Sequence, residues 1–204
     1  WRWTGDTTIA DYWERNLYNG ILAQQNPLTG MVCYYLPMEA GSVKKWGTPT
    51  ETFWCCHGTL VQAHSDHGRH VWYEDQEGLI LTQFMPSKTN WRRDGVLVKL
   101  ILDDRDSSGH NFRSIQDSSP CESDYFKYDR DVWDLKIICD HPVKFTLKIR
   151  IPGWIKSEPL IAINGVKESV SLNSLHIWEI NRLWREDQIH LVFPKKVELS
   201  MLPD

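Results

Sequence analysis

No apolar run in this 204-residue chain approaches the roughly 20 residues that cross a bilayer. No signal peptide is visible either. The opening Trp1-Arg2-Trp3-Thr4 carries no initiator methionine and reads as cut from a longer chain. An excess of positive charge is missing: 23 basic and 27 acidic residues leave a net charge of −4, which argues against nucleic acid or an anionic membrane as partner. The five cysteines (Cys33, Cys55, Cys56, Cys121 and Cys139) are odd in number and follow no regular framework, so a disulfide scaffold is not expected. No Cys-x-x-Cys occurs, which disfavours a thiol redox protein. There is no internal repeat and no low-complexity segment. What remains is the composition of an ordinary globular protein, 41% hydrophobic and 25% charged, long enough for one or two domains.

The chain is organised around Phe53-Trp54-Cys55-Cys56-His57-Gly58-Thr59. Adjacent thiols reach disulfide geometry only with strain. Both can point at one soft metal ion, since thiolates are preferred zinc ligands, and a metal keeps a thiol in its nucleophilic form. The competing reading is two buried free thiols packed like small apolar residues. The 11 tryptophans suit a carbohydrate cleft, where sugar C–H faces stack on rings, although most tryptophans in any protein are core residues.

Asp6 or Thr7 can cap a helix running to about Gln24, with Ile9, Trp13, Leu17 and Ile21 recurring every four residues as one apolar stripe. Glu14 lies one step off that stripe and by itself reads as a solvated helix carboxylate. Asn26-Pro27-Leu28-Thr29-Gly30 is a turn, Met31 to Leu36 a short apolar run, and Glu39 to Thr52 a loop. A second helix is expected from Gly58 or Thr59 to near Gly68, which would put Cys55 and Cys56 just before its N-terminus. His57, His64, His67 and His70 show no clean ligand spacing, and most read as helix-surface residues.

Near residue 70 the hydrophobic period changes. Val71 to Tyr73, Leu79 to Phe84, Val96 to Leu102, Leu135 to Cys139, Phe145 to Ile151, Leu160 to Ile163, His176 to Ile180 and Ile189 to Phe193 all read as strands. Asn164-Gly165 is a hairpin signal, and Asp103 to Asp124 reads as a polar loop. Several short strands separated by turns predict an antiparallel sandwich after a helical piece.

Three stretches resemble glycoside hydrolase families 127 and 146, the zinc-cysteine β-L-arabinofuranosidases. They are Trp3-Thr4-Gly5-Asp6 with Ala10-Asp11-Tyr12-Trp13-Glu14-Arg15 and Leu17-Tyr18-Asn19-Gly20; the Phe53–Thr59 core; and Leu147-Lys148-Ile149-Arg150-Ile151-Pro152-Gly153-Trp154 with Ile163-Asn164-Gly165 and Arg182-Leu183-Trp184. The resemblance implies an α+β multidomain chain. Residues 1 to 70 would be the last helices of an (α/α)6 barrel catalytic domain, and residues 71 to 204 an antiparallel β-sandwich region.

The resemblance also implies chemistry. Cys55 would be the catalytic nucleophile and a zinc ligand, and Cys56 a second zinc ligand. Glu14 and Tyr34 would contact the sugar, with Tyr35 adjacent to the latter. The reaction would be retaining, through a thioglycoside, on a plant-type arabinose-containing glycan or oligosaccharide. The remaining zinc ligands, a Glu and a Cys two residues apart, and the acid/base glutamate belong upstream of Trp3 in the family. Zn2+ is thus expected in a full-length parent and an incomplete site here. The His57-Gly58-Thr59-Leu60-Val61-Gln62-Ala63-His64 continuation differs from the characterised enzymes, which puts the exact sugar in question. A reading from another class is a non-catalytic carbohydrate-binding β-sandwich module; it leaves the helical piece and the paired cysteines unexplained.

Overall fold

Asp6 starts the first helix. Its carboxylate accepts from the Thr8 backbone N–H at 2.9 Å and from the Thr8 hydroxyl at 2.7 Å, the bond an N-cap is selected to make. Helix α1 (Thr7–Asn16) then widens into a π turn (Leu17–Ile21) and tightens into a 3-10 turn (Leu22–Gln24). The computed structural model describes residues 2–105, 129–196, 198–199 and 201. Cys121, and the expected loop from residue 106 onward, lie outside the described residues.

The buried face of this first helical run is Thr7, Ala10 and Leu17, while Ile9 is 42% exposed. The expected stripe is therefore rotated by about one residue. After the run, Asn26 closes a tight loop: its side-chain oxygen accepts from the Leu28 N–H, and the Asn26 N–H donates to the Met31 carbonyl at 2.7 Å. Gly30 sits at φ +72°, a conformation that costs a side-chain-bearing residue steric energy. Helix α2 covers Cys55–Ser65, with Trp54 as its cap residue in an extended conformation. The two cysteines are thus the first two helical residues, not the residues before the helix. A short 3-10 turn, His67–His70, follows.

Two compact units divide the chain, Trp1–His70 and Val71–Asp204. In the second, the described residues form one hydrogen-bonded sheet of eight strands. They are β1 (Trp72–Glu74), β2 (Gly78–Leu81), β3 (Ser87–Arg93), β4 (Val96–Asp104), β5 (Arg130–Arg150), β6 (Leu160–Ile163), β7 (Val166–Lys167) and β8 (Ile177–Pro194). The order is β1-β2-β5-β8-β6-β7, with β3 and β4 paired onto β5. Every pairing is antiparallel except one: β2 runs parallel to β5, with Gly78 opposite Thr146 and Leu81 opposite Ile149. The region is thus mainly antiparallel, as expected, with this one parallel pair. Glycine is required at 78, because a Cβ there would lie 2.0 Å from the Thr146 carbonyl oxygen.

Two long strands carry the sheet. β5 and β8 each replace two shorter expected strands, and both run through a register shift between Ile138 and Val143. Residues Asp103 and Asp104, read as the start of a loop, prolong β4 and pair with Asp134 and Trp133. The Asn164-Gly165 turn joins β6 to β7 with φ values of 51° and 81°, the type I′ signature. The core is built on alternate positions: Val98, Leu100 and Leu102 of β4, Leu135 and Ile137 of β5, Ile189, Leu191 and Phe193 of β8. The Trp91 and Phe145 rings meet at 5.1 Å, and Phe145 packs on Trp184 at 5.6 Å. Trp133, Trp178 and Trp184 are buried, so these three act as core rather than as sugar platforms.

Candidate functional site

The paired thiols lie at the start of α2, exposed to solvent. Their sulfurs stand 3.8 Å apart. Exposure removes the reading of two buried apolar thiols. The separation carries chemical meaning. Two sulfurs at about 2.3 Å from one tetrahedral zinc ion are themselves about 3.8 Å apart. Cys55 and Cys56 therefore fit two positions of a shared zinc shell. Among the described residues no group of three or more His, Cys, Asp or Glu side chains could hold a metal, so a zinc ion on this pair would need further ligands.

Local structure fixes the pair. The approach to α2 is braced by a small hydroxyl network. The Thr52 hydroxyl accepts from the Thr48 N–H at 2.5 Å and lies 3.1 Å from the Thr48 carbonyl, while the Thr48 hydroxyl accepts from the Glu51 N–H at 3.0 Å. The Trp54 carbonyl accepts from the His57 N–H at 2.9 Å, closing the first turn around the cysteines. α2 also packs against the π turn Leu17–Ile21.

Tyr34 reaches the pair from the chain after the Asn26 loop. Gln25 bridges to Val32, and the Cys33 N–H donates to the Gln24 carbonyl at 2.8 Å, which anchors the segment at its start. Cys33 is fully buried, and its thiol donates to the Tyr35 carbonyl at 2.9 Å. A hydrogen bond with Cys56 is the main cause that pushes the Tyr34 phenol up to about 12, helped by the charge of Cys56 and Cys55 and by the neighbouring Tyr35. Tyr35 is 75% exposed.

Aromatic rings surround this contact. Tyr34 lies 5.1 Å from Trp54 and stacks on His57 at 6.1 Å with planes 16° apart; Trp54 and His57 are 5.3 Å apart. Both ring nitrogens of His57 are buried without a hydrogen-bond partner among the described residues. The ring is seated tightly, because a Cβ at Gly47 would come within 2.6 Å of His57 Nε2. Two cavities share Trp54. The larger, about 500 Å³, is bordered by Cys55, His57, Phe53, Pro49 and Val32. The smaller, about 370 Å³, is bordered by Tyr34, Tyr35, Val43, Lys45 and Trp46.

Of the residues expected from sequence, the structure brings Cys55, Cys56 and Tyr34 together. Glu14 lies on another element, half-buried on α1, one step before the run that packs on α2. The histidines of α2 and its following turn are not simple surface residues. His64 Nδ1 and His67 Nε2 are 3.2 Å apart, and Trp13 packs on His70 at 5.0 Å. Burial, then the neighbouring His64 and His70, hold His67 below its ordinary value. Sequence inspection missed the aromatic frame of Trp46, Trp54 and His57. The closeness of Trp54 and His57 to the cysteines was visible, but nothing local relates them to Tyr34.

Comparison with known proteins decides the family. Residues 1–69 match the β-L-arabinofuranosidase GH127 catalytic domain, and residues 123–195 match the GH127 middle domain. The chain belongs to glycoside hydrolase family 127. Among solved structures, a GH127 β-L-arabinofuranosidase from Geobacillus stearothermophilus T6 is similar with a TM-score of 0.68 at 23% identity, over 95% of this chain and 29% of that one. Another GH127 β-arabinofuranosidase is similar with a TM-score of 0.68 at 19% identity, over 93% of this chain and 29% of that one. At these identities the likeness is one of fold. This GH127 chain spans under a third of the length of either structure. No curated protein matches it in sequence.

Proposed function

We propose that this chain supplies the nucleophile-bearing part of a retaining β-L-arabinofuranosidase, with Cys55 as nucleophile. The observation that carries the reading is the thiol pair: two exposed sulfurs 3.8 Å apart on the first turn of α2. In this reading residues 1–70 are the last helices of an (α/α)6 barrel, and the sheet unit belongs to a β-sandwich region that follows it. The substrate class is an arabinofuranoside-containing glycan of plant type.

The chain's residues have the following roles. Cys55 and Cys56 would hold Zn2+, with the remaining ligands supplied from outside the described residues. Zinc, when bound, supplies a deprotonated thiol at neutral pH. The Cys55 sulfur attacks the anomeric carbon, the glycosidic C–O bond breaks, and the leaving oxygen takes a proton from a carboxylic acid. Water then attacks the same carbon, its proton passes to that carboxylate, and the C–S bond breaks. Two inversions give net retention. Tyr34 keeps its proton and orients Cys56. Together with Glu14, it contacts the sugar.

The test is hydrolysis of an aryl β-L-arabinofuranoside by a GH127 protein that carries this chain, read beside intact-mass analysis after rapid quenching. One pentosyl unit on Cys55, lost in Cys55→Ser, is the expected result. A pentosyl adduct on any other residue would overturn the assignment. The 204-residue chain alone is expected to be inactive with or without added zinc, because general acid–base assistance is itself typically worth about 10²–10⁴-fold.

A further inference from the structure

The cavity of about 370 Å³ beside Tyr34 is not used by the attack at Cys55. Its size falls within the range of about 300–1,000 Å³ common to ligand pockets. Tyr34, Tyr35, Trp46 and Trp54 provide four aromatic rings around it, and Trp54 immediately precedes Cys55. Lys45 is the only charged residue on its border.

Lys45 and its neighbour Lys44 do different things. The Lys44 ammonium donates to the Ala23 carbonyl at 2.5 Å and lies 5.7 Å over the Trp46 ring. On the other side, the Gly47 N–H donates to the Val32 carbonyl at 2.9 Å. The backbone is therefore tied down on both sides of Lys45-Trp46. Lys45 itself has no carboxylate partner among the described residues, and no acidic side chain borders the cavity. A fixed aromatic wall with one unpaired cation at its edge suits a ring that has an apolar C–H face and a carboxylate on its rim. A pyranose uronic acid has both: its faces stack on indole, and its carboxylate projects from the ring edge.

We propose that this cavity binds the sugar to which the arabinofuranosyl group is attached, and that this sugar is a uronic acid held by Trp46 stacking and by the Lys45 ammonium. The inference rests on the glycosidase reading for its place in the reaction. Its binding chemistry stands separately.

The experiment is titration of the intact chain, followed by NMR, with methyl galacturonide, methyl galactoside and methyl 6-sulfogalactoside at low salt. The galacturonide should bind about fivefold tighter than the galactoside, the scale of one solvent-exposed ion pair. Added salt and Lys45→Gln should abolish that preference, and Lys45→Arg should keep it. Trp46→Ala should weaken both sugars. Equal binding of galacturonide and galactoside, or a preference that survives Lys45→Gln, would overturn the proposal. Binding of the sulfated sugar as tight as the uronide would overturn the uronate assignment. None of these readouts needs turnover, so they stay interpretable if the aryl glycoside is not cleaved. Conversely, cleavage without uronide preference removes this inference and leaves the glycosidase reading intact.

Discussion

The two units of this chain bury their apolar side chains very differently. Of the 30 buried hydrophobic residues among the described ones, 25 lie in the sheet unit and only five (Ala10, Leu17, Val32, Cys33 and Leu60) in residues 2–70. Of the 20 exposed large hydrophobics, 12 lie in the helical unit, among them Trp3, Tyr12, Phe53, Trp54 and Val61. The sheet unit has a core of its own, with interdigitated alternate positions and fully buried Trp184 and Phe145. The described part of the helical unit is shaped by caps, turns and hydrogen bonds; this chain spans under a third of the length of the similar solved structures, so the exposure of its large side chains is that of the chain taken by itself.

The comparison breaks most sharply at Cys55. In an active GH127 protein carrying this chain, Cys55→Ser should lower kcat by at least about 10³-fold, since loss of a nucleophile costs more than that in well-studied hydrolases. Its thermal midpoint in the zinc-free protein should stay within a degree or two, because the thiol is exposed and supports no packing. Cys56→Ser should lower activity less, and the loss should track the zinc content of the protein. A large drop in melting temperature for Cys55→Ser would erase the division of labour.

Trp184→Ala tests the opposite unit. Trp184 is fully buried against Phe145, and its indole N–H donates to the Phe145 carbonyl at 3.0 Å. The cavity left behind should cost about 3–5 kcal/mol by denaturant unfolding. Val61→Ala, at a residue 65% exposed on α2, should fall within about 0.5 kcal/mol. Similar values for the two would show that the exposed apolar residues of the helical unit are packed after all.

Backbone strain sharpens the picture on a smaller scale. Gly165 sits at φ +81°, and Gly165→Ala should cost about 1 kcal/mol in sheet stability while leaving amide exchange of residues 2–70 unchanged.

The smallest expected effect is one of pH. His67 has a folded-state value held below its ordinary one, by burial first and then by His64 and His70. The unfolded chain therefore binds that proton more readily. The stability of the helical unit should be complete above about pH 6.5 and decline as pH falls from there toward the lower folded value, where the slope should level off. His67→Gln should flatten this segment of the profile. A profile that is already flat in the unsubstituted protein would remove the role given to the histidine cluster.

Much of the architecture was legible locally. The Asp6 cap, the Asn164-Gly165 turn and the change of period near residue 70 each arise from neighbours in sequence, and each appears where the residues suggest. Strand β3 was not legible. Its Ser-Lys-Thr-Asn-Trp-Arg-Arg run is polar, and only pairing with β4 makes it a strand. The breaks expected inside β5 and β8 were misleading for a related reason. Polar residues such as Asp140 and His141 look like a turn, yet a register shift lets the chain stay extended through them. Cys55 and Cys56 stood out by adjacency alone, whereas their exposure, their 3.8 Å spacing and the choice of Tyr34 over Tyr35 as the partner of Cys56 did not.

The sequence by itself determined which residues could do thiol chemistry and where helical propensity yields to strand alternation, because both depend on side-chain type and short-range periodicity. The tertiary structure alone decided that β2 runs parallel to β5, that Lys44 is tied down while Lys45 borders an aromatic cavity, and that Tyr34 and Trp54 face each other at 5.1 Å. Those outcomes depend on contacts between segments far apart in the chain, and no local preference encodes them.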